Sequence, residues 1–546
     1  MFFQTIKNNI SNKLIKVKYI NVYRAIIDKL ISGEFLNDKD LTKVKVWACR
    51  EFKLKKFPRN SEILKAATDE EKEKLIQLLK LKPIRSVSGV YIITVMPKPF
   101  PCPKDQPCIY CPGGPSYGTP QSYTGNEPAG RRAIEHKFNP YQQVKSRIEQ
   151  FTIMGHDVDK VELIIFGGTI TAYPEEYLEW FITQCLNAIS KVDAKNIIEA
   201  QAAAENATIK NSDITIETRP DYYKKSHIDL MLRLGTTRVE LGVQTVYNDI
   251  YKNINRGHTI EDVVKATRLA KDAGFSVIYH MMLGLLGANF ERDLKAFEKI
   301  FKEETFKPDA IKIYPTLVIP ETKLYQMWKK GDYEPYSLEK YIELIVKIKK
   351  QVPRWMRIQR IQRDIPSNLI AAGIKRGDLR LLVQEKLKKE GISCQCIRCR
   401  EVGHVQYKSN YELNLSDIKL ITNRYTASEG EEIFLSYEDI KHDILIGLLR
   451  LRYPSNKIYR PELKTEKSML IRELHIFGPM VKVGKEAKIN EWQHKGWGER
   501  LIKEAERISK DEFDAKKIIV LAGIGTRNYY RRFGYTKEGP YMVKKI

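Results

Sequence analysis

Short apolar, β-branched runs alternate with longer stretches of helical periodicity over most of the chain. Six runs read as strands: Val87–Met96, Val161–Gly168, Asp213–Arg219, Thr237–Gln244, Ser276–Leu283 and Ala310–Pro315. Between them, Gln142–Met154, Glu175–Ile189, Lys225–Leu234, Ile260–Ala273 and Phe290–Phe301 repeat apolar residues at the spacing of one helix face. This alternation predicts an α/β fold with a parallel sheet, in which ligands gather at the C-terminal strand ends. Ahead of it, Ile20–Ile31 and Ile63–Leu79 carry helical patterns. From about Tyr425 the pattern changes to strands at Ile433–Ser436, Ile444–Arg452 and Met469–Phe477. A helix opening near Gln493, a strand at Ile518–Ala522 and a last helix over Gly525–Tyr535 follow.

The first predicted strand runs straight into Cys102, Cys108 and Cys111, spaced C-x5-C-x2-C. Three thiolates on one loop can hold three irons of a [4Fe–4S] cluster and leave the fourth open to a small molecule. Zinc with a distant fourth ligand, a disulfide, or a purely structural cluster fits the spacing too. The sheet context favours the open cluster. Gly167-Gly168-Thr169, the Glu217–Asp221 segment with Arg219, and the Gly242–Thr245 segment with Gln244 all fall at strand C-terminal ends. Glycines there let backbone amides approach a ligand. Lys312 alternates with apolar neighbours on the sixth run, and a lysine facing a barrel interior needs a partner. A carbonyl or phosphate of a bound cofactor is the expected one. Cys394, Cys396 and Cys399 form a second cluster, C-x-C-x2-C. With no flanking barrel strand it reads as closed zinc, with His404 or Asp364 as candidate fourth ligand.

The net charge of +25 over 546 residues points to a polyanionic partner. Residues 1–80 hold 18 basic against 10 acidic side chains, among them Lys13, Lys16, Lys18, Lys43, Lys45, Lys53, Lys55, Lys56 and Arg59. They read as a helical domain that grips a phosphate backbone, the plainer alternative being an amphipathic bundle with a solvated face. Arg354, Arg357, Arg360 and Arg363 recur every third residue with Trp355 and Met356 between them, a pattern suited to phosphate forks and unstacked bases. No run of about 18 apolar residues occurs, so no membrane span is expected. Eight cysteines, six in two tight clusters, argue for metal in a reducing cytoplasm. Cys49 and Cys185 read as small core residues.

Gln493, Gly496, Trp497 and Gly498 form a Q-x-x-G-x-G segment after a strand and at a helix start. Free N–H groups there hold a pyrophosphate. This is similar to the acetyl-CoA signature of the GNAT acetyltransferases. Tyr529 and Tyr530 open the last helix, where a tyrosine can protonate a leaving thiolate; an aromatic core pair is the alternative.

The chain resembles the radical-SAM enzymes with a partial (βα)6 barrel, and more closely the family of the Elongator catalytic subunit. The resemblance rests on CIYCPGG, QSYTGNEP (Gln121–Pro128), TIETRPDY (Thr215–Tyr222), NRGHT (Asn255–Thr259), YPTLVI (Tyr314–Ile319), QRDIP (Gln362–Pro366), REVG (Arg400–Gly403) and GTRNYYRRFGY (Gly525–Tyr535), in matching order. Two departures stand out. The cysteine spacing differs, and His280–Gly287 (HMMLGLLG) lacks the acidic residue expected at that turn. The resemblance implies a basic helical tRNA-binding region over 1–80, a radical-SAM domain over 81–390, a zinc-binding linker over 391–424 and a GNAT domain over 425–546. It implies that Gly167 and Gly168 contact the amino-acid end of S-adenosylmethionine, SAM. Glu217 and Arg219 at the next strand end read either as contacts to the SAM ribose or carboxylate or as a barrel-rim salt bridge, and Gln244 is a similar case. The implied reaction is formation of 5-carboxymethyluridine at the tRNA wobble position. A SAM-derived radical takes a hydrogen from the methyl of acetyl-CoA, the carbon radical adds to C5 of the uridine, and the thioester is hydrolysed. The implied partners are the tRNA anticodon loop, acetyl-CoA and an electron donor, with a homodimer left open. A protein lysine acetyltransferase with a structural cluster, and a tRNA-binding assembly factor without turnover, are the rival readings.

Overall fold

The computed structural model describes residues 21–33, 38–54, 57–79, 87, 89–409, 414–478 and 496–546. The chain forms two compact units, Met1–Ser86 with Ser146–Val158, and Val87–Lys145 with Asp159–Ile546.

The first unit contains a helix over 21–32 and helices Asp38–Glu51, Asn60–Ala66 and Asp69–Leu79. Val22, Ile26, Ile27, Leu30, Leu41, Val44, Ile63, Leu64, Leu75 and Leu79 make its core. Lys53 and Arg59 are exposed, and Lys43 pairs with Asp40 at 3.2 Å. Lys45 departs from the expectation. It is 7% exposed and its amine is donated to the Asn60 side chain, so it is no phosphate contact. Lys13, Lys16, Lys18, Lys55 and Lys56 lie outside the described residues.

In the second unit a parallel sheet takes seven strands in chain order: β1 (Tyr91–Val95), β2 (Lys160–Ile165), β3 (Lys210–Thr218), β4 (Arg238–Gln244), β5 (Ser276–Leu283), β6 (Ala310–Pro315) and β7 (Arg357–Arg360). Helices such as Glu175–Ser190, Ile260–Asp272 and Phe290–Lys302 return the chain between strands. The expected six-strand half-barrel is therefore extended by β7, which pairs with β6 through Ala310↔Arg357 and Ile311↔Ile358.

β7 is the arginine run that the sequence suggested for RNA, and the structure uses those arginines internally. Arg354 bonds Gln395, Glu438 and Asp443, and Arg357 bonds Glu401 at 2.6 Å. Arg360 pairs with Asp364 at 2.8 Å, and Arg363 donates to the Ser122 carbonyl at 3.1 Å. Trp355 is buried against Tyr425, ring centroids 4.4 Å apart, and Met356 is buried as well. The comb of phosphate forks with interleaved base platforms is thus an ionic lattice around a strand.

A second sheet begins at Ile418, not near 425: β8 (Ile418–Ala427), β9 (Gly430–Asp439), β10 (Ile444–Tyr453), β11 (Ser468–Ile476), β12 (Lys517–Val520), β13 (Thr536–Glu538) and β14 (Tyr541–Lys545), ordered 13-14-12-11-10-9-8. Helix Trp497–Asp511 lays Leu501, Ile502, Ala505 and Ile508 on its core. β11 and β12 pair in parallel only through Ser468–Ile471 and Lys517–Val520, so the C-terminal half of β11 parts from its neighbour.

This sheet meets the N-terminal ends of the barrel strands through buried charge. Arg472 on β11 makes two bonds to Asp309, at 2.7 and 2.8 Å, and two to Glu432, at 2.7 and 3.3 Å. Arg452 bonds Asp272 at 2.7 Å and Glu432 at 2.9 Å, and Lys271 stands 3.5 Å from Asp309. Burial pushes the Asp309 carboxyl up, but Arg472, Lys271 and Arg450 outweigh it and hold it well below the usual range. Burial brings the Lys271 amine down to about 8 against the pull of Asp309 and Glu432. Such a lattice fixes geometry, because a charge left unpaired in it is costly.

Candidate active site

The cysteine loop follows β1, at the C-terminal end of the sheet. Around its sulfurs the fold gathers hydrogen-bonding groups. Arg256 Nη1 donates to Cys108 Sγ at 3.7 Å, while its Nη2 is donated to the Gly242 carbonyl. Gln121 Nε2 donates to Cys111 Sγ at 3.3 Å, and Ser122 Oγ lies 3.0 Å from the same sulfur. Burial raises the Cys108 thiol, yet Arg256 and Lys104 outweigh it and bring it below the ordinary thiol value. Burial keeps Cys111 above it. A cationic wall that favours thiolate, with donors aimed at sulfur, is the setting a thiolate-bound cluster requires. Arg256, Gln121 and Ser122 were not singled out from the sequence, although each lies in a motif block that was.

Gly168 has φ +84°, and a Cβ on Gly167 would meet Ile170 and Pro97 within 3.0–3.3 Å. Glu217 Oε2 faces both amides at 3.4 Å and accepts from the Tyr123 hydroxyl at 2.7 Å. Arg219 grips Asp221 through Nε and Nη2, at 3.0 and 2.6 Å, which is the rim salt bridge rather than a free ligand contact. Its buried Nη1 has no hydrogen-bond partner among the described residues. Gln244 closes β4 at φ +73°, after the β4–β5 register shifts between Leu241 and Gln244.

Lys312 corrects an expectation. Its partner is not a cofactor carbonyl or phosphate but Glu240, reached at 2.6 and 2.5 Å. Burial raises Glu240, and Lys312 with His280 outweigh it and bring the carboxyl down to about 2. At the HMMLGLLG turn, Asp293 from the following helix accepts from the Gly284 amide at 2.8 Å and from the Tyr336 hydroxyl.

In the second sheet, Gly496 caps helix Trp497–Asp511 at φ +78°, with nothing among the described residues within 4 Å of where a Cβ would stand. A Cβ on Gly498 would fall 2.5 Å from the Tyr529 hydroxyl, so glycine there lets that hydroxyl reach the helix start. The buried Trp497 Nε1 has no partner among the described residues. The start of this helix thus stands beside Tyr529 and beside Ile476, the last residue of the parted β11. Burial pushes the Tyr529 hydroxyl up to about 12, so it stands protonated at neutral pH. Tyr530 lies in the apolar core beside Tyr535, as the core alternative has it, whereas the Tyr529 hydroxyl stands at the helix start. Gln493 lies outside the described residues.

The Sγ atoms of Cys394, Cys396 and Cys399 lie within 4.8 Å of one another. A tetrahedral ion with Zn–S near 2.3 Å sets sulfurs about 3.8 Å apart, so the trio fits one ion. Among the described residues it is the one group of that compactness. Neither expected fourth ligand joins it. His404 is turned to Glu401 at 2.8 Å and Asp364 to Arg360. Lys349 instead donates to Cys399 Sγ at 3.5 Å.

No described helix is long and apolar enough to cross a membrane. Family models match as ELP3 N-terminal domain over 19–87, Radical SAM superfamily over 102–300 and Radical_SAM C-terminal domain over 308–389. The chain is 49% identical to the tRNA uridine(34) acetyltransferase of Methanocaldococcus jannaschii over 96% of its own length and 97% of that protein. It is 44% identical to human Elongator complex protein 3, over 95% and 96%. The solved structure of archaeal Methanocaldococcus infernus Elp3, with an N-terminal deletion, superposes with a TM-score of 0.75 at 46% identity, covering 84% of this chain and 100% of that one.

Proposed function

Because this chain belongs to the family of the tRNA uridine(34) acetyltransferases and Elongator complex protein 3, we propose that it modifies the wobble uridine of tRNA, using SAM and acetyl-CoA to build a 5-carboxymethyl group. The observation that carries the reading is the pairing, within one compact unit, of a donor-ringed cysteine loop with an acetyl-CoA-like cradle. A [4Fe–4S] cluster on Cys102, Cys108 and Cys111 would supply the electron that cleaves SAM to the hydrogen-abstracting adenosyl radical.

The chain's own residues prepare that chemistry. Arg256, Gln121 and Ser122 orient the sulfurs and set the charge around them. Gly167, Gly168 and Glu217 present two amides and a carboxylate to an amino-acid end. Gly496 and Gly498 open the helix terminus to a pyrophosphate, and Tyr529 stands ready to give its proton to a departing thiolate. Cys394, Cys396 and Cys399 would hold zinc, which ties the segment after β7 in place. The exposed Lys53 and Arg59 support tRNA binding by the first unit through phosphate contacts. A protein lysine acetyltransferase would need the cradle alone and gives no role to the donors around Cys108 and Cys111.

Nucleoside mass spectrometry after anaerobic incubation of reduced protein with SAM, acetyl-CoA and tRNA tests the reading. It should show a 5-carboxymethyluridine mass that requires all three additions. Unmodified uridine beside acetylated lysines would favour the acetyltransferase.

A further inference from the structure

The HMMLGLLG segment begins with a histidine that the reaction outlined above leaves without a task. His280 is 5% exposed on β5, directly paired with Lys312 of β6. Its Nε2 lies 2.6 Å from Glu240 Oε2, and Glu240 also takes Lys312. Its Nδ1 faces Glu217 Oε1 at 3.6 Å, and the other oxygen of Glu217 meets Tyr123 and the amides of Gly167 and Gly168. Four adjacent strands thus carry one chain of charge, from Lys312 through Glu240 and His280 to Glu217. Tyr314 of β6 packs edge-on against the imidazole at 5.4 Å, and Arg360 of β7 adds a positive charge near Glu240.

The geometry constrains the ring. Nε2 must carry a proton to bond an ionised Glu240. A neutral ring would then turn the Nδ1 lone pair toward the Glu217 carboxylate, acceptor against acceptor. A ring protonated at both nitrogens donates toward both carboxylates and leaves the four groups neutral in sum. Glu217, for its part, is the carboxylate that closes the Gly167–Gly168 turn.

We propose that His280 is a positioning residue for the SAM subsite: as an imidazolium it holds Glu217 against the glycine amides, and it gives up its Nδ1 proton when the ammonium of the methionyl end takes its place as counter-cation. The inference rests on the reading of Gly167, Gly168 and Glu217 as the SAM amino-acid site. The exchange moves one proton from Nδ1 to solvent, leaves the Nε2–H on Glu240 and moves no electron. The HMMLGLLG block therefore serves the ligand through its first residue.

Calorimetric titration of SAM into cluster-reconstituted protein near pH 7, in two buffers of different protonation enthalpy, counts the protons released. Wild type should release up to one proton per SAM bound. His280→Gln keeps an amide donor for Glu240 and removes the Nδ1 proton. It should release none and bind SAM about tenfold more weakly, the worth of one charge-assisted contact, with acetyl-CoA affinity unchanged. Glu217→Gln, which leaves the His280–Glu240 bond in place, should likewise release none. Equal proton release in His280→Gln and wild type, or unaltered SAM affinity, would overturn the inference and leave the proposed function standing. Absence of SAM binding by the wild type would overturn both.

Discussion

Cys111→Ala should strip the barrel of iron while leaving one zinc per chain, and Cys396→Ala should do the reverse. The barrel triad and the compact trio are held by different elements, the loop after β1 and the segment after β7, so loss of one leaves the other's ligands in place. Cys111 supplies the sulfur to which Gln121 and Ser122 are fitted, and two remaining thiolates would leave two irons of the cube without protein ligands. The expected change is from about four irons to none, with formation of 5′-deoxyadenosine lost in step. Metal analysis of anaerobically purified variants reads both numbers. Parallel loss of iron and zinc in each variant would contradict two independent sites.

Arg472→Met should destabilise the second unit by about 3–5 kcal/mol, because it leaves Asp309 and Glu432 buried with part of their compensation gone. The Arg472 side chain is fully buried and joins strand β11 of the second sheet to Asp309, the residue just before β6. Thermal unfolding monitored by circular dichroism should show a lowered midpoint, steeper in effect than that of Arg424→Met, whose partner Glu512 is a third exposed. The sign with pH follows from Asp309. Its folded carboxyl is held well below the unfolded value, so its contribution is present at neutral pH and is lost as pH falls through the folded value. In Arg472→Met that acid-side loss should begin at higher pH. An unchanged midpoint would mean that the seam does not join the two sheets energetically.

Continuous apolar runs made the sheet legible wherever both strand faces are buried. Ser276–Leu283 and Ala310–Pro315 were readable to the residue, for every position of β5 is buried. β7 escaped because Arg357, Gln359 and Arg360 read as polar, and what makes that strand is the neighbouring β6 and the carboxylates that neutralise it. Asp364 is local to Arg360, but Glu401 lies 44 residues from Arg357, and Glu438 and Asp443, which hold Arg354 just ahead of the strand, lie 84 and 89 residues from it, beyond any local pattern. Long-range pairing likewise hid the partner of Lys312, since Glu240 is 72 residues distant. The C-x-C-x2-C spacing was legible as a compact trio of sulfurs, as thiolates that close in sequence are close in space. His404 failed as a zinc ligand for the opposite reason: three residues from Glu401 on a helical turn, it is claimed locally.

Acetyl-CoA carrying a deuterated methyl group, supplied with SAM and tRNA to the reduced protein, tests the union of the two halves most directly. Acetyl transfer breaks only the C–S bond and leaves the methyl hydrogens in place. Carboxymethyl synthesis must remove one of them, and the cysteine-loop half is the part of this chain suited to doing so. Mass spectrometry should find one deuterium in the 5′-deoxyadenosine formed. It should vanish when Gly498 is replaced by a larger residue that collides with Tyr529. Deoxyadenosine that stays free of deuterium while modified tRNA accumulates would contradict the account.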